Sequence, residues 1–216
     1  MQIKWNGFSS FEISCKTPKG TVELVTDPYQ NTTGLRFPRT LEAQILLTSH
    51  NEEDANNVTA VTGEPYVVDL PGEFEVKGVF AYGISAPLKR EEKGKAVKNL
   101  IFRIEAEDMQ VAHLGALDRE LTDEELQKLS SIDILMIPVG GGRVMDAKTA
   151  AKVISQIEPR IIIPMTHDLP SVKEELAGVD SFCKEMGACR REEANKFKIS
   201  RKKLPQEDML IMTLSR

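Results

Sequence analysis

At 216 residues, with 41% hydrophobic and 28% charged residues, the chain can bury a core of its own and has the balance of a globular protein. A net charge of −5 removes the electrostatic reason to expect a nucleic acid or an anionic membrane surface as partner. No apolar run approaches the roughly 20 residues of a membrane span, and Met1-Gln2-Ile3-Lys4-Trp5 reads as a strand, not as a secretion signal.

The first half reads as consecutive short strands. Gln2–Trp5, Ser10–Ser14 and Val22–Thr26 are bounded by the turn formers Asn6-Gly7, Pro18-Lys19-Gly20 and Asp27-Pro28. Ile45–Thr48 is a short apolar run, which suits a strand covered on both faces. Tyr66–Asp69, Phe74–Val76, Val79–Ile84, Leu100–Glu105 and Gln110–His113 continue the series, and alternation in Leu100–Glu105 predicts one wet face. Helices then alternate with strands. Thr122 as N-cap with Glu125 three residues on predicts a helix start. Ile134–Val139 reads as a buried strand ending in Gly140-Gly141-Gly142, and Asp146 caps a helix running to about Gln156. Ile161–Met165 is a further buried strand, Ser171–Met186 fits a helix closed by Gly187, and Lys196–Ser200 and Met209–Leu214 are two last strands. No linker or repeat interrupts residues 1–216, so we expect one domain of mixed sheets with helices outside.

Three cysteines, with no CxxC pair and an odd count, point to a reduced compartment and hence the cytoplasm, with Cys183 as a buried, inert thiol. The three histidines are more informative. His50, His113 and His167 each lie at or just past the C-terminal end of a strand, where layered α/β proteins build their sites. One such histidine alone is more often a core or surface residue; three in one topological position point to a shared site.

The sequence around these histidines resembles the metallo-β-lactamase superfamily, in particular its small metal-dependent hydrolases related to L-ascorbate-6-phosphate lactonase. The matching segments run in order along the chain: Trp5-Asn6-Gly7-Phe8-Ser9-Ser10-Phe11, Thr26-Asp27-Pro28, Thr48-Ser49-His50-Asn51-Glu52-Glu53-Asp54-Ala55, Pro71-Gly72-Glu73-Phe74-Glu75-Val76, His113-Leu114-Gly115-Ala116-Leu117, Ile134-Leu135-Met136-Ile137-Pro138-Val139-Gly140-Gly141 with Asp146-Ala147-Lys148, and Ile161-Ile162-Ile163-Pro164-Met165-Thr166-His167. The resemblance implies a four-layer αβ/βα sandwich of two mixed β-sheets with helices outside. It also implies hydrolysis at two adjacent divalent metals, usually zinc, whose bridging water attacks a carbonyl or phosphoryl centre.

Position by position, His50, Asp54 and His113 match the family's ligands. Glu52 stands where a second histidine is expected, Ala55 where a third is, Ala116 at the bridging aspartate, and Thr166 at the final histidine, with His167 one residue along. Phe8 and Leu88 replace further histidines near the reaction centre. Two zinc ions are therefore not expected. Either no metal is bound, or a single Zn²⁺ takes its ligands from His50, Glu52, Asp54, His113 and His167, with Asp54 as the candidate base. The count of lost donors favours a non-catalytic binding or assembly role. The alternative is a mononuclear metal-dependent hydrolase of a small anionic ester, lactone or phosphodiester. A small anionic ligand and a homo-oligomer are the partners the resemblance allows.

Other motifs read more plainly. Gly140-Gly141-Gly142 lacks the lysine and spacing of a phosphate-binding loop, and Arg143 after it reads as a surface arginine. Lys89–Lys95 and Arg190–Glu193 read as solvated charge, and neither Thr48 nor Ser49 has a base assigned to it.

Overall fold

The computed structural model describes residues 1–187, 189–192 and 195–216, with the backbone alone at 191 and 192. Two mixed sheets face each other across one core. The first runs, edge to edge, Lys196–Lys198, Gln2–Gly7, Ser10–Thr17, Gly20–Thr26, Ile45–Leu47 and Tyr66–Val68. Tight turns make its opening strands antiparallel, whereas Ile45–Leu47 returns after a long connection and pairs parallel to Gly20–Thr26. The second sheet runs Arg190–Glu192, Leu210–Leu214, Ile161–Met165, Ile134–Pro138, Met109–His113, Leu100–Ala106, Val79–Ser85 and Gly72–Val76. Its parallel half carries three helices: α1 (Asp123–Lys128), α2 (Ala147–Ile157) and α3 (Val179–Met186).

The continuous apolar runs follow from this layering. Along Ile134–Pro138, Ile134 and Met136 face the other sheet, with Trp5, Phe11, Ile13 and Leu24 in the same core. Leu135 and Ile137 face outward and pack with Ala150, Val153 and Ile154 of α2 and Phe182 of α3. A strand with period-two side chains and both faces covered has no polar position left. Each such side chain contributes about 1.5–3 kcal/mol by leaving water. The outer face of the first sheet is covered by Phe8, Tyr29, Leu35, Phe37 and Leu41, packed on Val25 and Leu46.

Both helix starts are capped as read. Thr122 and Glu125 form a reciprocal capping box, and the Asp146 carboxylate accepts from the Thr149 N–H at 2.8 Å. The helix expected over Ser171–Met186 is shorter, starting at Val179. The backbone before it is engaged elsewhere: Lys173 N–H donates to the Thr33 carbonyl at 3.1 Å, and Ala177 N–H to the Gly140 carbonyl at 2.7 Å. Residues 171–178 thus form a strap across the strand ends. The wet face expected for Leu100–Glu105 is reduced to Arg103 and Glu105, both half-buried.

The expectation for Cys183 is corrected. Gly187, at φ 84°, turns the chain back after α3, and Cys189 forms a disulfide with Cys183. Cys15 is the free cysteine among the described residues; burial, then Glu107, pushes its thiol up to about 12. No helix among the described residues is long and apolar enough to cross a membrane. Arg190 is exposed, while Glu193 and the side chains of Arg191 and Glu192 lie outside the described residues.

Candidate metal centre

Strands of both sheets end on one rim. Gly20–Thr26 delivers Asp27 there, Ile45–Leu47 delivers Ser49 and His50, and Met109–His113 delivers its terminal histidine. After His50 the chain makes a tight turn, closed by Ala55 N–H donating to the Glu52 carbonyl at 2.9 Å. That turn brings the acidic side chains back over the histidine. His50 Nε2 lies 3.0 Å from Asp54 Oδ1 and 3.7 Å from Glu52 Oε2. Among the described residues, these three side chains form the one group whose nitrogen and oxygen donors all lie within 4.8 Å of one another. Asp54 is buried and Glu52 half-buried, so neither is a freely solvated surface carboxylate.

Behind the group stands a buried relay. Ser49 N–H and Oγ–H both donate to the Asp27 carboxylate at 2.7 Å, and Ser49 Oγ lies 2.7 Å from His50 Nδ1. In front of it stand two arginines. Arg90 Nη2 donates to both oxygens of Glu52, at 2.7 and 2.6 Å. Arg143 Nη2 donates to Asp54 Oδ2 at 2.6 Å, and its Nε to Glu174 at 2.7 Å. The readings of Arg143 as a surface residue and of Arg90 as solvated loop charge are therefore corrected.

The charges explain the protonation. Burial disfavours an imidazolium at His50, but the adjacent Asp54 carboxylate outweighs it and raises the histidine's pKa. Burial likewise pushes the Asp54 carboxyl up, but His50 and Arg143 more than reverse this and hold it well below the usual carboxylate range.

The other two histidines do not join the group. His113 is fully buried; its Nε2 donates to the Ser9 carbonyl at 2.8 Å and its Nδ1 accepts from Gly115 N–H at 3.2 Å. With both nitrogens used within the protein, it locks the two sheets together at the rim. His167 packs at a tilt against Trp5, ring centroids 4.9 Å apart, and its Nδ1 lies 3.1 Å from the Asp168 carbonyl. Thr166 adopts φ 49°, which turns the following residue away from the group. Two glycines permit the packing here: a Cβ on Gly115 would collide with Asn99 and Ser49, and one on Gly140 with the Thr166 carbonyl.

Burial, opposed by Asp168, lowers the His167 pKa. Its folded value is depressed, so the unfolded chain binds the proton first and the stability it contributes is lost as pH falls below about 6.5. We expect the stability of His167→Phe, relative to wild type, to improve by up to about 1.4 kcal/mol per pH unit of acidification. Urea unfolding from about pH 7 to about pH 5 measures this; a constant difference would refute it.

The group opens into a cleft of ≈ 420 Å³, lined by Phe8, Thr32, Thr33, Glu52, Glu53, Asp54, Arg143, Lys173 and Glu174. A larger cavity of ≈ 760 Å³ lies at the opposite strand ends, beside Asp133, Arg160 and Arg201. There the Asp133 carboxylate is bonded to Arg201 at 2.8 Å and Gln110 N–H at 2.9 Å with no histidine beside it, whereas His50, Glu52 and Asp54 converge at the smaller cleft, so we assign the chemistry there.

Comparison with known proteins agrees with this fold. The family model described as the beta-lactamase superfamily domain matches residues 2–166. A solved Thermotoga maritima structure, described as a Zn-dependent hydrolase of the metallo-beta-lactamase superfamily, is 28% identical and superimposes with a TM-score of 0.80 over 99% of both chains. This chain belongs to the metallo-β-lactamase superfamily. Curated relatives in the superfamily include the UPF0173 metal-dependent hydrolases of Thermococcus onnurineus, 25% identical over 78% of this chain and 85% of that protein, and of Methanopyrus kandleri, 22% identical over 87% and 93%.

These relatives, together with the converged His50, Glu52 and Asp54, overturn the expectation of a non-catalytic scaffold. Counting by superfamily position scored Glu52 as a lost histidine. As a carboxylate it is itself a donor, and the turn places it beside His50. Glu174 carried no sequence signal. Arg143 did carry one, since it follows three glycines at a strand's C-terminal end, a loop that layered folds aim into their sites.

Proposed function

We propose that this protein is a hydrolase that uses one divalent ion, held by His50, Glu52 and Asp54, to cleave a small anionic ester, lactone or phosphodiester. One observation carries the reading. Ser49 gives its proton to Asp27, so it accepts the proton of His50 Nδ1, and Nε2, once its own proton leaves, turns a lone pair toward Asp54 Oδ1 at 3.0 Å. A lone pair facing a carboxylate needs a cation between them, either a proton or a metal ion. Ligand atoms sharing one zinc at about 2.1 Å stand roughly 3.4 Å apart in a tetrahedral set, and the separations of 3.0 and 3.7 Å from His50 Nε2 bracket that value.

The neighbouring residues support a single ion. Asp54 meets Arg143 through Oδ2 and turns Oδ1 toward His50 Nε2, and each Glu52 oxygen has a lone pair beyond the one Arg90 uses. At the superfamily's other donor positions, Leu88 and Ala116 pack with Val144 as an apolar cluster, and Ala55 is buried. When bound, the ion lowers the pKa of a coordinated water toward neutrality and polarises the scissile carbonyl or phosphoryl group. Because Asp54 turns Oδ1 toward His50 Nε2 and engages Arg143 through Oδ2, we assign it as ligand in place of its expected role as base. Along the cleft, the carboxylates of Glu52, Glu53, Asp54 and Glu174 outnumber Arg143 and Lys173, with Arg90 paired to Glu52 from outside the lining, and a divalent ion offsets that excess in favour of an anion. The lactone class is included because the motifs resemble the lactonase branch.

Protein purified without chelators should carry about one zinc per chain. Chelation should abolish hydrolysis of activated anionic esters and phosphodiesters, and zinc should restore it. A chain that takes up no ion on reconstitution, or hydrolyses equally well without one, would overturn the reading.

A further inference from the structure

We propose that Ser49, held by Asp27, is a positioning residue that presents His50 Nε2 to the metal. This rests on the reading of His50 as a metal ligand. Taken as distances alone, the Ser49–His50–Asp54 row, 2.7 Å then 3.0 Å, has the spacing of a nucleophile with its base and orienting acid. The hydrogens decide otherwise. An Asp27 carboxylate only accepts, and it takes both the N–H and the O–H of Ser49. The one hydroxyl proton is thus committed, and toward His50 the oxygen has only a lone pair. It accepts from Nδ1–H.

The surroundings agree. Ser49 is 2% exposed, does not line the cleft, and is packed so closely by Gly115 that a methyl group there would collide with it. No substrate reaches such an oxygen. Asp27 is fully buried, and its N–H is bonded to the Leu47 carbonyl at 2.9 Å, so the relay is anchored to two adjacent strands. Its consequence is fixed: the His50 ring is pinned in one rotation, with Nδ1 carrying the proton and Nε2 turned toward Glu52 and Asp54. A hydrogen bond to the far nitrogen of a ligating histidine sets its tautomer and raises its basicity, and removing such a partner costs about 10–100-fold in metal affinity.

The test uses Ser49→Ala and the conservative Ser49→Thr with two readouts. Competition titration with zinc, followed by the absorption spectrum of the cobalt-substituted protein, should show Ser49→Ala weakened about 10–100-fold with an altered ligand-field band, and Ser49→Thr close to wild type. In the metal-free protein, long-range ¹⁵N–¹H spectra of the histidine rings should show a proton on His50 Nδ1, perturbed in Ser49→Ala. Wild-type metal affinity in Ser49→Ala, an unprotonated His50 Nδ1, or labelling of Ser49 by a fluorophosphonate would each overturn the proposal. If wild type itself bound no metal, the hydrolase reading would fail on its own, and the ring-nitrogen spectra would still decide the role of Ser49.

Discussion

His50→Ala should purify without metal under conditions in which wild type retains it, and should hydrolyse no test substrate above the uncatalysed rate. The histidine supplies the one nitrogen of the converged group, and its removal leaves Glu52 and Asp54, each already bonded to an arginine. Two carboxylates shared with guanidinium groups are poor competitors for a hydrated cation. The loss should exceed the roughly 10–100-fold typical of an outer partner. Competition titration against a chelator of known affinity measures it, with circular dichroism confirming the fold. Because His50 lies at the rim and not in the sheet core, the variant should remain folded. Stoichiometric zinc in His50→Ala would mean that the ion, if any, is held elsewhere.

Arg143→Ala should cost about 3 kcal/mol of stability, or roughly 6–12 °C in unfolding temperature for a chain of this size. The guanidinium joins Asp54 and Glu174 across the rim, and the Asp54 side chain is only 7% exposed. Removing the guanidinium leaves the buried Asp54 carboxylate with His50 alone as counter-ion, and losing one partner of a buried pair costs more than the pair itself was favourable. Arg143→Lys should rescue little, because a single ammonium cannot reproduce the fork that reaches Asp54 through Nη2 and Glu174 through Nε. In a double-mutant cycle, Arg143→Ala with Asp54→Ala should be less destabilised than the sum of the single changes. Strict additivity would show that the contact does not matter to folding.

The places where reading the sequence fell short share a cause. Arg143 was assigned to solvent because it follows a glycine turn, and Arg90 because its neighbours in sequence are charged. Their partners lie 89 and 38 residues away, at Asp54 and Glu52. Cys183 lies on a helix face, and only the turn at Gly187 brings Cys189 to it. The segment before Val179 has helical composition, yet its amide groups bond to Thr33 and Gly140 instead of to their own turn. His113 matches a ligand by position, and a carbonyl and an amide from the packed rim occupy both its nitrogens.

What the amino-acid order determined by itself was everything that depends on short range and on period. The two-faced apolar strands, the capped starts of α1 and α2, and the strand-end placement of the three histidines all follow from neighbours a few residues apart. Tertiary structure decided which residues surround the local turn of His50, Glu52 and Asp54, and left His113 and His167 outside that group. The arginines come from 38 and 89 residues away, separations that no local pattern encodes, and two carboxylates, a histidine and two arginines acquire a joint chemistry only when folding removes the water between them.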